Sequence, residues 1–159
     1  MLTWIDYLNK SISMYRIGLI GVVGWTFIGP LWATAKQTKA EIDFYSGLLC
    51  LQLQHPVRAN QFFQHSAQQG FPPALKALGD SYWSGDGVPL NRTRALVLYI
   101  QSADQQYGPA QLAIGLILSK GEAGFINFTV ARYYFQQALS NMSLEESLRQ
   151  IAQEALNSL

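Results

Sequence analysis

The chain has 159 residues and a formal net charge of +1, and only 13% of its residues are charged. This length allows one domain of ordinary size. The balanced charge and the lack of any run of Lys or Arg argue against nucleic-acid binding, which needs a basic surface. Cys50 is the single cysteine, which excludes an internal disulfide.

An uncharged stretch near the N-terminus predicts a membrane-spanning helix. Residues 17–35, "IGLIGVVGWTFIGPLWATA", form a run of 19 residues without a charge. As a helix this run would span about 28 Å, against a hydrocarbon core of about 30 Å. Trp4 and Tyr15 before it and Trp32 near its end stand where interfacial aromatic residues belong. We therefore expect residues 1–36 to form an interfacial segment and a single transmembrane helix.

Small residues within this stretch predict close packing against another membrane helix. They recur at short helical spacings, as Gly18, Gly21, Gly24, Gly29 and Ala33. Small side chains let two helix backbones approach closely. We expect a transmembrane protein partner or a dimer at this surface.

Two other interpretations of the stretch stay open. Residues 33–35, "ATA", fit a signal-peptidase site, and cleavage after Ala35 would release a soluble exported repeat protein into the periplasm or the medium. The stretch could also be a buried core helix, although a chain this small has little with which to cover one.

Charge on either side of the stretch does little to orient it. Lys10 and Arg16 precede it, and Lys36 and Lys39 follow it. The signal-like character of the segment favours an exported repeat domain. We expect a single-pass protein of a bacterial inner membrane with the repeats on the exported side.

The remainder of the chain repeats with a period of 36 residues. This step carries Gly79 to Gly115 and Tyr99 to Phe135, and in the other direction it carries Tyr99 to Phe63. Further matches in the same register are Ala74 with Ala110, Gly85 with Gly121, Asn91 with Asn127, Ala95 with both Ala131 and Ala59, and Ser102 with Ser66. A fixed period of this size predicts a stack of helical repeats, because one unit cannot bury its apolar face alone.

Each repeat is expected to be a helical hairpin. The small residues lie where two helices must approach closely, and the aromatic and aliphatic residues supply apolar faces at helical spacing. In "SGDGVPLN" the glycines end the first helix, Pro89 cannot continue it, and Asn91 caps the helix that follows. The first copy has lost about four loop residues, so its Gly47 matches Gly79 at an offset of 32.

These features resemble the Sel-one-like repeat, a relative of the tetratricopeptide repeat. The resemblance rests on "A..LG..Y..G.GVP.N...A...Y..SA" in the middle copy, and it covers roughly residues 40 to 140. It implies an all-α protein in which an α/α solenoid of about two and a half repeats, residues 37–140, follows the single transmembrane helix. It also implies a scaffold or adaptor that binds other proteins.

The resemblance further implies where a protein partner binds. In such helix pairs the first helix lines the concave face, at positions three before, one after and four after its glycine. These positions are Phe44, Leu48 and Leu51, then Lys76, Asp80 and Trp83, then Leu112, Leu116 and Ser119. The apolar set favours an amphipathic helix or an apolar peptide as the ligand, with Trp83 contributing most. Alternatively, the terminal helix or the stretch after Lys36 fills this groove.

The C-terminal segment, residues 141–159, is expected to be a helix that caps the solenoid, or alternatively a helix that binds a partner. Ser143 and Glu146 are spaced as a capping box. The apolar face is expected to consist of Leu144, Leu148, Ile151, Ala155 and Leu159.

No catalytic constellation is recognisable in the sequence. His55, His65 and Cys50 lack the spacing of metal ligands and belong to no nucleophile motif. We expect no enzymatic activity, no metal and no cofactor.

Overall fold

The computed structural model describes residues 39–141 and 144–159, which belong to the compact unit Lys36–Leu159. Over these residues the fold is entirely helical. The helices are α1 (residues 39–52), α2 (Pro56–Gln68), α3 (Pro72–Ser84), α4 (Arg92–Ala103), α5 (Gly108–Lys120), α6 (Phe128–Ser140) and α7 (Glu146–Asn157). The expectation of an all-α fold is confirmed for this part of the chain. Within these ranges, no helix combines the length and the hydrophobicity needed to cross a membrane.

Three helical hairpins, α1–α2, α3–α4 and α5–α6, are each closed by a glycine beneath an aromatic ring. A Cβ atom added to Gly79 would lie 2.7 Å from the ring of Tyr99. The corresponding distance is 2.5 Å both from Gly47 to Phe63 and from Gly115 to Phe135. These rings are at most 3% exposed. Because the ring lies directly on the backbone of the first helix, only glycine fits beneath it. This contact explains why a glycine and an aromatic residue recur together in each repeat.

The predicted hairpin turns are confirmed. Gly85 and Gly121 end α3 and α5 in the left-handed conformation, with φ of 78° and 71°. The Oδ1 atom of Asn91 accepts a hydrogen bond from the backbone N–H of Arg94 at 2.9 Å, and that of Asn127 accepts one from Val130 at 3.0 Å. Each asparagine thereby satisfies a free N–H group in the first turn of its helix.

A buried serine ties each of the first two hairpins together. The Ser66 hydroxyl donates a hydrogen bond to the Ala40 carbonyl at 2.6 Å, and the Ser102 hydroxyl donates one to the Pro72 carbonyl at 2.8 Å. Both serines are fully buried. The third hairpin has Ala138 at the equivalent position, also fully buried. The 36-residue period matches Ser66 with Ser102 but does not reveal that both side chains make these hydrogen bonds.

Successive hairpins pack through their neighbouring helices, α2 with α3 and α4 with α5. The loop of the second hairpin also contacts the first hairpin. The Asn60 amide donates a hydrogen bond to the Asp86 carbonyl at 2.7 Å, and a Cβ atom added to Gly87 would lie 2.7 Å from the Val57 nitrogen. The middle loop therefore lies directly on the start of α2.

Helix α7 packs against α6 and α5. The Arg149 guanidinium donates hydrogen bonds to the carbonyls of Leu139 at 2.7 Å and Asn141 at 3.0 Å. These carbonyls lie at the C-terminal end of α6, where backbone acceptors lack helical partners. Arg149 thus joins the two helices at the point where the chain reverses.

One detail of the predicted C-terminal helix is wrong. The N-cap is Glu145, which makes no side-chain capping bond, and Ser143 of the predicted capping box lies outside the described residues. Ile151, expected on the buried face, is 43% exposed, whereas Ala152 is fully buried. Leu144 is buried beside Gly108. Because the helix begins only after Leu144, Ala152 faces the core in place of Ile151.

Candidate protein-binding face

The residues predicted to bind a partner lie on the first helices of the hairpins, and we call them the first-helix face. Their surroundings differ from one hairpin to the next. On α1, Leu48 is 40% exposed and Leu51 is half-buried against the core. The Phe44 ring lies 5.8 Å from Phe63 and 5.5 Å from Phe71. Phe44 therefore packs between the first two hairpins as well as reaching the surface.

The middle hairpin carries a polar network on this face. Lys76 Nζ lies 2.7 Å from Asp80 Oδ2, one helical turn away, and the Tyr99 hydroxyl donates a hydrogen bond to Asp80 Oδ1 at 2.9 Å. The Lys76 and Asp80 side chains are 31% and 47% exposed. Burial, followed by the charge and hydrogen bond of Asp80, raises the pKa of Tyr99. One side of the network is thus anchored in the core while the other remains open to a ligand.

Two further tyrosines adjoin this network. Burial is the main cause of the raised pKa of Tyr107, and the negative charges of Asp80 and Tyr45 add to it. Tyr45 is 64% exposed, on α1, and Tyr107 is half-buried before α5. The charge of Asp80 therefore acts on one tyrosine of the middle hairpin and on one at the start of the third.

Trp83 is half-buried at the end of α3 and held from two sides. Its ring centroid lies 6.4 Å from that of Tyr99, and the Arg92 guanidinium lies 5.1 Å from the Trp83 ring centroid. Arg94 covers Tyr82 in the same way, at 4.6 Å. Sequence reasoning missed both arginines because they lie across the hairpin loop, outside the periodicity of either helix.

The Asp80–Tyr99 hydrogen bond was also missed, although a signal for it was present. The positions that match Asp80 are Leu48 and Leu116, and those that match Tyr99 are Phe63 and Phe135. Both positions are polar only in the middle hairpin. A paired change of this kind at two matched positions would have indicated the contact.

On the third hairpin, the terminal helix lies beside the first-helix face. Leu116 and Ser119 line an open groove of about 440 Å³ between α5 and the start of α6 on one side and α7 on the other. The other lining residues are Lys120, Phe128, Ile151, Glu154, Ala155, Ser158 and Leu159. This groove combines apolar walls with one charge of each sign.

The prediction that Leu112 is exposed on this face is wrong. Leu112 is 3% exposed and belongs to the same core as Leu144 and Ala152 from the C-terminal segment. Leu112 is therefore part of the core that the third hairpin shares with that segment and does not belong to the face. The alternative that the chain's own terminal helix occupies the groove therefore applies to this hairpin, but only in part, because Leu116 and Ser119 still border open space.

The remaining predicted site residues, Gly18, Gly21, Gly24, Gly29 and Ala33, fall outside the described residues, as does the whole predicted span 17–35. His55 and His65 are exposed and Cys50 is half-buried. In residues 39–141 and 144–159, no three His, Cys, Asp or Glu side chains are grouped to hold a metal ion.

A stack of antiparallel helix pairs with a polar and aromatic first-helix face defines an α/α solenoid of the tetratricopeptide-like class. Residues 72–107 and 108–141 each match the Sel1 repeat family model. These matches, together with the structural neighbours below, support a Sel1-like repeat protein. The first hairpin lies outside the matched segments, yet it has the same glycine–aromatic contact and the same buried serine.

Solved structures that are similar to this chain include two repeat proteins. A Sel1 repeat protein from Oxalobacter formigenes shares 26% identity with a TM-score of 0.59, over 64% of this chain and 42% of that protein. A protective antigen of uropathogenic Escherichia coli displaying an SLR fold has a TM-score of 0.61, over 78% of this chain and 30% of that protein. At 20% identity, the second similarity concerns the fold alone.

One curated relative is a component of a larger assembly. The ERAD-associated E3 ubiquitin-protein ligase component HRD3B of Arabidopsis thaliana is 26% identical over 92 residues. The match covers 58% of this chain but only 15% of the plant protein. Sel1 repeats indicate a protein–protein interaction scaffold, and proteins of this kind are generally non-enzymatic.

Proposed function

We propose that this protein is a membrane-anchored interaction scaffold, serving as an accessory or assembly subunit of a larger membrane complex. The observation that carries the proposal is the first-helix face of the middle hairpin, where Trp83, Asp80 and Lys76 are partly exposed on a Sel1 repeat stack. The uncharged run at residues 17–35 supplies a membrane anchor of sufficient length. The repeat domain would then lie on the exported side of a bacterial inner membrane.

The chemistry of this face suits a protein ligand. Tryptophan, tyrosine and arginine are enriched at the residues that dominate interface energies. Trp83 is already held between Tyr99 and Arg92, so little side-chain freedom would be lost on binding. Leu48 and Leu116 extend the face with apolar area on both sides. An amphipathic segment could place apolar side chains over them and a polar group against Lys76 or Asp80.

The relative in Arabidopsis supports the subunit role by analogy. That protein is named as a component of a ubiquitin ligase, hence as one part of an assembly. Similarity at the level of a repeat fold does not transfer a particular partner. We therefore assign this chain the role of a subunit without assigning it that complex.

The binding site is tested by photo-crosslinking in native membranes. A photoreactive amino acid in place of Trp83 should yield one dominant crosslinked protein, and the same substitution at Tyr133, 55% exposed on α6, should not. In unmodified protein, Trp83→Ala should weaken co-purification of the crosslinked species by about tenfold or more, whereas Tyr133→Ala should leave it unchanged. Equal crosslinking at both positions would refute the first-helix face as the site.

The anchor is tested separately by intact mass. Protein purified from its own membranes should retain residues 1–35. A mature chain beginning at Lys36 and recovered from the soluble exported fraction would instead establish the alternative of a released binding protein. Replacing Gly21 and Gly24 by Leu should preserve membrane insertion but weaken association with a membrane partner.

A further inference from the structure

Exposed apolar side chains collect at one edge of the repeat stack, the edge that carries the loops between α1 and α2, α3 and α4, and α5 and α6. We call it the hairpin-loop edge. Its large hydrophobic residues are all more than half exposed: Leu53 58%, Val57 62%, Leu90 61%, Phe125 59%, Ile126 58% and Phe128 51%. None of them belongs to the first-helix face.

The loops are adjacent in space as well as equivalent in sequence. Gly87 of the middle loop contacts the backbone of Val57 at the start of α2. Helix α4 packs with α5 as α2 packs with α3. The 36-residue repeat therefore places the third loop at the same edge of the stack as the second. The exposed side chains form a row rather than isolated patches, and a row of this kind indicates an interaction surface.

Charge distinguishes this edge from the opposite one. Around the first two loops, Arg58, Arg92 and Arg94 are exposed, against one acidic residue, Asp86. The third loop adds Glu122, while Lys120 shares the C-terminal groove with Glu154. At the opposite edge, where the hairpins connect to one another, the exposed or half-exposed charges are Lys39 and Arg149 against Glu41, Asp43, Asp104, Glu145 and Glu146. The hairpin-loop edge thus combines apolar area with arginines, and the opposite edge is acidic.

We propose that the hairpin-loop edge binds an acidic amphipathic segment of a partner protein. Its apolar side chains lie over Leu90 and Ile126, and its carboxylates meet Arg58 and Arg94. An anionic bilayer has similar chemistry, and the experiment below distinguishes it from a protein ligand. Arg92 and Phe128 border both this edge and the first-helix face. Leu90 and Ile126 lie outside the first-helix face, so the two proposed sites can fail independently.

The test uses the full chain and two fluorescent peptides of equal length, one alternating Leu with Glu on a helical pattern and the other Leu with Lys. Binding is measured by fluorescence anisotropy. The acidic peptide should bind at least about tenfold more tightly than the basic one. The double variant Leu90→Ser, Ile126→Ser should lose about tenfold in affinity. The matched double variant Val97→Ser, Ile100→Ser, at exposed positions on α4, should change affinity by less than about twofold.

A second pair of variants separates charge from apolar contact. Arg94→Gln should weaken binding of the acidic peptide, and Lys39→Gln, at the opposite edge, should not. Circular dichroism verifies that every variant is folded. Equal affinity for both peptides, or equal loss in the Val97–Ile100 control, would overturn the proposal. The proposal would also be overturned if anionic vesicles displaced the peptide and bound only when Leu90 and Ile126 were intact. The bilayer would then be the occupant of this edge. Loss of binding through Trp83→Ala alone would place the peptide on the first-helix face.

Discussion

The middle and third hairpins have the same internal contact but present different surfaces. In both, a glycine of the first helix lies beneath an aromatic ring of the second, Gly79 with Tyr99 and Gly115 with Phe135. Above this contact, the middle hairpin carries Asp80 where the third carries Leu116. Glycine–aromatic packing maintains the scaffold in both hairpins. Neighbouring positions can therefore form a polar surface in one hairpin and contact the terminal helix in the other.

Removing the shared contact from the third hairpin should reduce stability more than any other change considered below. Phe135→Ala should lower the free energy of unfolding by about 3–5 kcal/mol, because the ring is fully buried and the cavity cannot collapse onto a glycine. Urea denaturation measures the change. Tyr133→Ala on the same helix removes an exposed ring and should cost less than about 1 kcal/mol. Similar losses in both variants would mean that the glycine–aromatic contact does not hold the hairpin.

A second prediction uses the buried serine that the third hairpin lacks. Ser102→Ala removes the side-chain hydrogen bond to the Pro72 carbonyl and should cost about 0.5–1.5 kcal/mol. The reverse change, Ala138→Ser, should cost less than about 1 kcal/mol if the equivalent carbonyl of Gly108 can accept the new hydroxyl. Denaturation of both variants decides the point. A severe loss in Ala138→Ser would show that the third hairpin is packed too tightly for a hydroxyl.

A third prediction converts the polar pair of the middle hairpin into the apolar pair of the third. Asp80→Leu alone leaves the Tyr99 hydroxyl without its partner, whereas Asp80→Leu with Tyr99→Phe removes both groups. The double variant should therefore be more stable than the sum of the single effects predicts, by about 1 kcal/mol. A double-mutant cycle in urea measures this coupling. Strict additivity would contradict the hydrogen bond as a contributor to stability.

We also predict that Asp80→Leu changes the alkaline titration of Tyr99. Asp80→Leu should lower the pKa of Tyr99 without restoring its ordinary value, because burial is the largest cause of the shift. Phenol absorbance follows the titration. Tyr99 and Tyr107 hold their protons more tightly in the folded state than when unfolded, so their contribution to stability is complete below about pH 10 and is lost as the pH rises further. Alkaline destabilisation should be smaller in Asp80→Leu.

The smallest effect concerns the junction between these two hairpins. Gln106 has φ of 60°, and the position equivalent to it between the first two hairpins is Gly70, with φ of 79°. A non-glycine residue in this region costs about 1–2 kcal/mol, partly offset by the entropy that glycine loses on folding. Gln106→Gly should therefore raise the unfolding free energy by less than about 1 kcal/mol. Gln105→Gly, one residue earlier, is the control and should not stabilise the fold.

The sequence alone determined the features that depend on local geometry or on repetition. The left-handed glycines Gly85 and Gly121 and the caps Asn91 and Asn127 follow from backbone requirements that few residue types satisfy. The period of 36 places Gly79, Tyr99 and their equivalents in one register, because each repeat needs the same close contact between its two helices. The α/α solenoid could be predicted for this reason.

The roles of the ends and faces of the stack depend on tertiary contacts. Leu112 is buried because residues from the C-terminal segment pack against its hairpin, and Arg149 joins α7 to α6 through carbonyls that no side-chain pattern indicates. The polar face of the middle hairpin depends on Tyr99 reaching Asp80 and on Arg92 covering Trp83 across a loop. These contacts join residues that are distant in sequence. Helical periodicity describes each helix separately and therefore does not specify them.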